Sequence, residues 1–178
     1  EKIIMNTIIC PSICGIVTFF IKPHIVPAPM PVRFDFQGIT NGILAGLVTI
    51  TAGCDIVETW AAFLMGILGS IVYCLSCRLM DAMQIDDPLE ASQVHGFCGI
   101  WGCVAIAFFS KDLGIFYGHE KSGELLGKQL LGCLCIIAWS GGFSFIFFFL
   151  AHKMNKFRLS DKDELIGGDL HYFGPLEC

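Results

Sequence analysis

Five stretches of the chain contain no Asp, Glu, Lys or Arg: residues 3–21, 36–54, 59–77, 91–110 and 129–152. They run to 19, 19, 19, 20 and 24 residues. A helix rises about 1.5 Å per residue, so each window is about as long as a bilayer's apolar core, roughly 30 Å thick. A helix also satisfies its own backbone hydrogen bonds, which lipid cannot do for it. The pattern predicts an all-α, polytopic transmembrane helix bundle. Its five spans fall at about 3–21, 36–54, 59–77, 88–110 and 127–152, together making a bundle over 1–152, and a polar tail follows over 153–178. Pro11 predicts a kink in the first span, because proline removes a helix hydrogen bond. Residues 3–21 lack the basic leader and small-residue cleavage site of a signal peptide, so they read as a span.

Composition agrees with the pattern. The 178 residues are 54% hydrophobic and 15% charged, and soluble domains carry about 25% charge. Mean hydropathy is +0.69. Disorder needs low hydrophobicity. Nucleic-acid binding needs a basic patch, and the net charge is −5. The partners implied are therefore a lipid bilayer and no nucleic acid.

Five spans place the two ends on opposite sides. Lys22, Arg33, Arg78, Lys153, Lys156, Arg158 and Lys162 share the side of the tail, seven of the eleven Lys and Arg. The positive-inside rule then makes the tail cytoplasmic.

Small residues recur at helical spacing: Gly38, Gly42, Gly46, Thr49 and Gly53 in the second span, and Ala62, Gly66, Ser70 and Cys74 in the third. Gly96, Gly99 and Gly102 follow in the fourth, and Gly141 and Gly142 in the fifth. Such faces let helix backbones approach closely in lipid. Most of the ten cysteines fall inside spans, where Cys acts as a small apolar residue. Cys74 and Cys77 have a redox or metal spacing, but no second pair completes a zinc site. No metal or cofactor is called for. Trp60 suits an interfacial anchor; Trp101 and Trp139 lie deeper and predict packing between helices.

The chemistry lies around the fourth span. Asp86, Asp87 and Pro88 make a structural helix start, with Asp87 as N-cap, Pro88 at the first helical position and Glu90 at the third. His95, eight residues beyond the cap, then sits about 12 Å deep. An ionisable group at that depth is a functional-site hypothesis, and a neutral imidazole can accept or pass a proton. Cys98, Gly99 and Gly102 share its helical face and leave room beside it. Thr49, Ile50, Ala91 and Gly99 are candidate pore-lining positions. His24, His119, His152 and His171 occupy loops, a helix end or the tail, and are weaker candidates.

The run from Asp86 through His95 to Gly102, DDPLEASQVHGFCGIWG, resembles the ammonium transporter (Amt/Mep) family. Residues 41–48 (NGILAGLV) and 51–54 (TAGC) are similar to an earlier helix of that family, 57–62 (VETWAA) to its plant-type branch, 139–141 (WSG) to its last helix, and 164–169 (ELIGGD) to its regulatory tail. Gly168 and Phe173 depart from that tail, where Leu and His are usual. The resemblance implies eleven helices assembled as a homotrimer in the plasma membrane, with a pore in each subunit. These five spans would be the last five of the eleven. It also implies that His95 is one of two pore histidines binding ammonium or ammonia, with a possible proton-relay role. The second histidine, an outer aromatic site and a phenylalanine gate would lie in helices preceding these. The chain begins with Glu, and the expectation is the C-terminal part of a longer transporter that is not an enzyme. The competing readings are a truncated, non-transporting membrane protein that modulates or fails to assemble with intact subunits, and a membrane redox protein using Cys74 and Cys77.

Overall fold

A computed structural model describes residues 1–26, 35–167 and 174. Arg33, Gly168, His171, Phe173 and Cys178 lie outside the described residues. The helices are α1 (Lys2–Ile25), α2 (Phe36–Thr51), α3 (Thr59–Ala82), α4 (Ser92–Phe109), α5 (Ser122–Lys153) and the short α6 (Asp161–Ile166). Among the described residues extended pairing is limited to one bridge, Val57 with Ser110.

Among the described residues four helices, α1, α3, α4 and α5, are long and apolar enough to cross a membrane. The second, α2, has 16 residues and spans about 24 Å. It stops at Thr51 because residues 52–56 turn, with the amides of Ile56 and Val57 both bonded to the Gly53 carbonyl. The first helix runs past its charge-free window and takes Lys22 into its last turn. Pro11 and Pro23 both lie inside it.

The chain forms two compact units, residues 1–133 and 134–178. In the first, α1 packs along both α2 and α3, and the small-residue faces explain how. A Cβ placed on Gly46 would stand 2.5 Å from the Pro11 Cα, and one on Gly66 would stand 2.6 Å from the Cys10 carbonyl oxygen. The Cys10–Cys14 turn of α1 is therefore held between a glycine of α2 and a glycine of α3. Thr18 and Ser70 hydroxyls bond at 2.9 Å one turn further along. On α4, Gly102 lies against the Thr49 backbone, whereas Gly96, Gly141 and Gly142 have no such neighbour among the described residues. Within the first unit, the expectation of tight contact therefore fails for Gly96.

Polar groups gather at the two ends of this unit. At one, Glu58 pairs with Lys2 at 3.5 Å and Lys111 at 3.2 Å. The Lys111 hydrogen bond and charge, then Lys2, hold the Glu58 carboxyl below its ordinary range. Asn6 is buried beside this end and donates to the carbonyls of Cys54 at 2.9 Å and Val57 at 3.0 Å, pinning the 52–58 turn to α1. The core between the ends holds Cys10, Ile50, Val57, Ala61, Ala62, Met65, Ala105 and Phe109. Trp60 is half exposed, edge-on to Phe109, and Trp101 packs against the core. The outer faces of α1 and α3 show Ile4, Ile8, Phe20, Phe63 and Leu75 to the surroundings. That is costly in water and ordinary in lipid.

The second unit carries the end of α5, rich in exposed Phe, and α6. Within this unit Trp139 is exposed, its ring tilted against that of Phe143 at 4.8 Å between centroids. Arg158 forks onto Glu164 through Nε at 2.8 Å, and Ser160 caps α6 by accepting from the Asp163 amide.

Candidate functional site

Asp87 caps the fourth helix, but from further back than the sequence implied. Pro88 and Leu89 turn instead of starting the helix, and Glu90 adopts a left-handed backbone with φ 56°. The helix begins at Ala91. The Asp87 carboxylate accepts from the amides of Ala91 at 3.0 Å and Ser92 at 2.8 Å, and from the Ser92 hydroxyl at 2.6 Å. Those amides would otherwise lack partners at a helix start. The Ser92 hydroxyl and amide hold the Asp87 carboxyl below its usual range. Asp86 is exposed.

Glu90 does not complete the helix start. Its side chain turns into the bundle, where Lys22 of α1 meets it at 2.7 Å. Asn41 of α2 donates to the other carboxylate oxygen at 2.8 Å, and the Tyr73 hydroxyl of α3 donates to that same oxygen. Lys22 also donates to the Tyr73 hydroxyl at 3.1 Å and pairs with Asp35 at 3.1 Å. Its three N–H groups are thus all used, and the residue is only 6% exposed. Gln37 and Asn41 bind the carbonyls of Pro88 at 2.7 Å and Leu89 at 3.1 Å.

Residues Ser92–Phe97 form a π-helix that leads into the α-helix Cys98–Phe109. Such wide turns are rare and concentrate at functional sites. The π-turns rephase the side chains. His95 is exposed and Gly96 beside it is open, while Cys98 and Gly102 are buried and Gly99 is half-buried, 3.7 Å from Val48 by its would-be Cβ. The α-helical spacing that put Cys98 and Gly102 on the His95 face therefore does not hold. His95 lies four residues beyond Ala91, where the sequence implied eight residues beyond the Asp87 cap.

The other candidate lining residues separate. Ala91 is exposed near His95, but Thr49 and Ile50 are fully buried. Ile50 belongs to the core, and Thr49 is packed between Gly69 and Gly102 with its hydroxyl unpaired. Cys74 and Cys77 are buried free thiols in an apolar cluster with Cys14, Ala45 and Val94. Among the described residues no three His, Cys, Asp or Glu side chains stand together as metal ligands. Sequence reasoning missed Lys22, Asn41 and Tyr73. The available signal was a lone lysine between an apolar helix and a proline-rich segment.

Long apolar helices with lipid-like outer faces, closed at each end by ion pairs, define an integral membrane helix-bundle protein. The family model described as Ammonium Transporter Family matches residues 1–176, and the chain belongs to that family, one of transporters and not of enzymes. It is 36% identical over 154 residues to ammonium transporter 1 member 1 of Arabidopsis thaliana, covering 80% of this chain and 31% of that protein. It is 39% identical over 149 residues to ammonium transporter 3 of Dictyostelium discoideum, covering 77% of this chain and 34% of that protein. The crystal structure of Saccharomyces cerevisiae Mep2 superposes with a TM-score of 0.76 at 26% identity, over 90% of this chain and 37% of that one. The chain thus spans about a third of the length of its curated relatives.

Proposed function

We propose that these helices form part of a pathway carrying ammonium or ammonia across a membrane, with His95 on its wall. The carrying observation is an exposed imidazole on a π-turn of an apolar helix, beside open space at Gly96 and only light contact at Gly99. A hydrated ammonium ion is expensive to place among apolar groups, and neutral ammonia is much cheaper. An imidazole that accepts a hydrogen bond from the substrate, and can take its proton, lowers that barrier. The small neighbours keep the path open but narrow, which disfavours a hydrated potassium ion. Ala91 and Gly99 line the path with His95, and Asp87 fixes where their helix begins. Membership of the ammonium transporter family supports the cargo.

The same reading takes the parent assembly as a homotrimer in the plasma membrane, with residues 153–178 in the cytoplasm on the basic side of the bundle. The test is methylammonium uptake by cells expressing the membrane-embedded protein. His95→Ala is expected to lower uptake at least tenfold, or to change its selectivity over potassium, at unchanged membrane level. Unchanged uptake and selectivity would remove His95 from the pathway.

A further inference from the structure

We infer that Lys22 is a positioning residue: with Glu90 it forms a buried latch that sets where the His95 helix begins and how its π-turn is phased. The inference rests on the transport reading for its functional consequence, and on geometry for the latch itself. Glu90 has a left-handed backbone, which a residue with a Cβ adopts only when its surroundings hold it. The holders are visible. One carboxylate oxygen receives the Lys22 ammonium at 2.7 Å, and the other receives Asn41 at 2.8 Å and the Tyr73 hydroxyl. These come from α1, α2 and α3, so three helices grip one side chain of the corner. Gln37 and Asn41 grip the backbone of the two residues before it.

The next link is the helix start. The Val94 amide bonds to the Glu90 carbonyl at 3.0 Å, so the backbone of Glu90 is the first acceptor of the helix carrying His95. Rotating Glu90 out of its left-handed state moves that carbonyl. It also disturbs the Asp87 contacts with Ala91 and Ser92, four and five residues on from the cap. Asp35 adds a second carboxylate to Lys22 at 3.1 Å. Removing the lysine therefore leaves two acidic groups close together and unneutralised, one of them largely buried. Leaving one partner of such a pair costs much more than removing both. That asymmetry separates a latch from simple packing.

The experiment compares Lys22→Met, Glu90→Gln, the Lys22→Met/Glu90→Gln double variant and His95→Ala in the membrane-embedded protein. Two readouts are used: hydrogen exchange of the amides of residues 91–97, and methylammonium uptake normalised to membrane level. Lys22→Met is expected to speed exchange at 91–97 about tenfold and to raise the KM for methylammonium. Adding Glu90→Gln is expected to recover at least half of both effects, because Gln still accepts from Asn41 and Tyr73. In a His95→Ala background, Lys22→Met is expected to change KM no further. Exchange unaltered by Lys22→Met overturns the latch, as does a double variant worse than Lys22→Met alone. An additive effect on KM in the His95→Ala background overturns the link from latch to histidine. If His95→Ala alone leaves uptake unchanged, the transport reading fails, and the exchange data still decide the latch.

Discussion

Gly46→Ala adds a single methyl where α1 crosses α2. That methyl would lie 2.5 Å from the Pro11 Cα, 2.7 Å from the Cys14 Cβ and 3.1 Å from the Cys10 carbonyl oxygen. Carbon atoms rest at about 3.5–4.0 Å, so α1 must retreat by roughly 1 Å. Two of the three neighbours are backbone atoms and the third is a Cβ, so no change of rotamer relieves the clash. Overpacking of this kind costs about 1–3 kcal/mol, and a backbone neighbour argues for the upper end. Alanine regains about 0.8–1.0 kcal/mol in helix propensity. The net expectation is a loss of about 2 kcal/mol. Gly132→Ala is the matched control, since a methyl there meets nothing within 4 Å and brings only the propensity gain. Thermal unfolding of the detergent-solubilised protein compares the two. Gly46→Ala is expected to melt several degrees below wild type and Gly132→Ala at or above it. A Gly46→Ala protein as stable as the control would refute the reading of Gly46 as the contact that sets the α1–α2 distance. A retreating α1 also carries Lys22 away from Glu90, so the same variant is expected to weaken uptake.

Asn6→Ala leaves the carbonyls of Cys54 and Val57 without their donor, and is expected to cost about 2 kcal/mol in the same melting assay. Asp87→Ala removes the acceptor for two amides at the start of α4, and is expected to cost about 1 kcal/mol and to speed amide exchange at residues 91 and 92. The Asp87 carboxyl is held low in the folded protein, so its contribution is complete above the ordinary aspartate range near 3.9 and falls away as pH drops through the lowered value. Melting followed downward from pH 5 is expected to show a smaller acid loss in Asp87→Ala than in wild type.

The ends of the bundle have different parts in the proposed function. At the Lys2–Glu58–Lys111 end the charges are part-exposed, and such pairs contribute little in salt. At the Lys22–Glu90 end the lysine is shielded and every N–H is used. A buried charge is tolerated only with partners in good geometry, so this end specifies one arrangement of four segments. His95 sits one turn away from it. That proximity connects this end of the bundle to the helix that carries His95.

What the sequence determined by itself is local and compositional. Five charge-free windows sufficed for an all-α membrane protein, since a bilayer of fixed thickness selects helix length and excludes charge. The run from Asp86 to Gly102 was enough to point to the family, and the four-residue spacing of Gly42 and Gly46 and of Gly66 and Ser70 marked the faces that close on α1. That Asp87 would serve the start of the fourth helix was legible, but its register was not: its carboxylate meets the amides of Ala91 and Ser92, not those of a helix beginning at Pro88. Tertiary structure decided the rest. Lys22 reads as the polar end of a window until Glu90 and Asp35, 68 and 13 residues away along the chain, neutralise it and draw it inside. Glu90 reads as the third residue of a helix until three other helices turn it inward and push the helix start to Ala91. Thr49 and Ile50 read as lining residues until α3 and α4 bury them. His95 keeps an exposed ring while Cys98 and Gly102 go inside, because a six-residue π-turn changes the phase that a 3.6-residue period assumes. For Lys22, Glu90, Thr49 and Ile50 the deciding force is a contact between residues far apart in the chain, which no local period encodes.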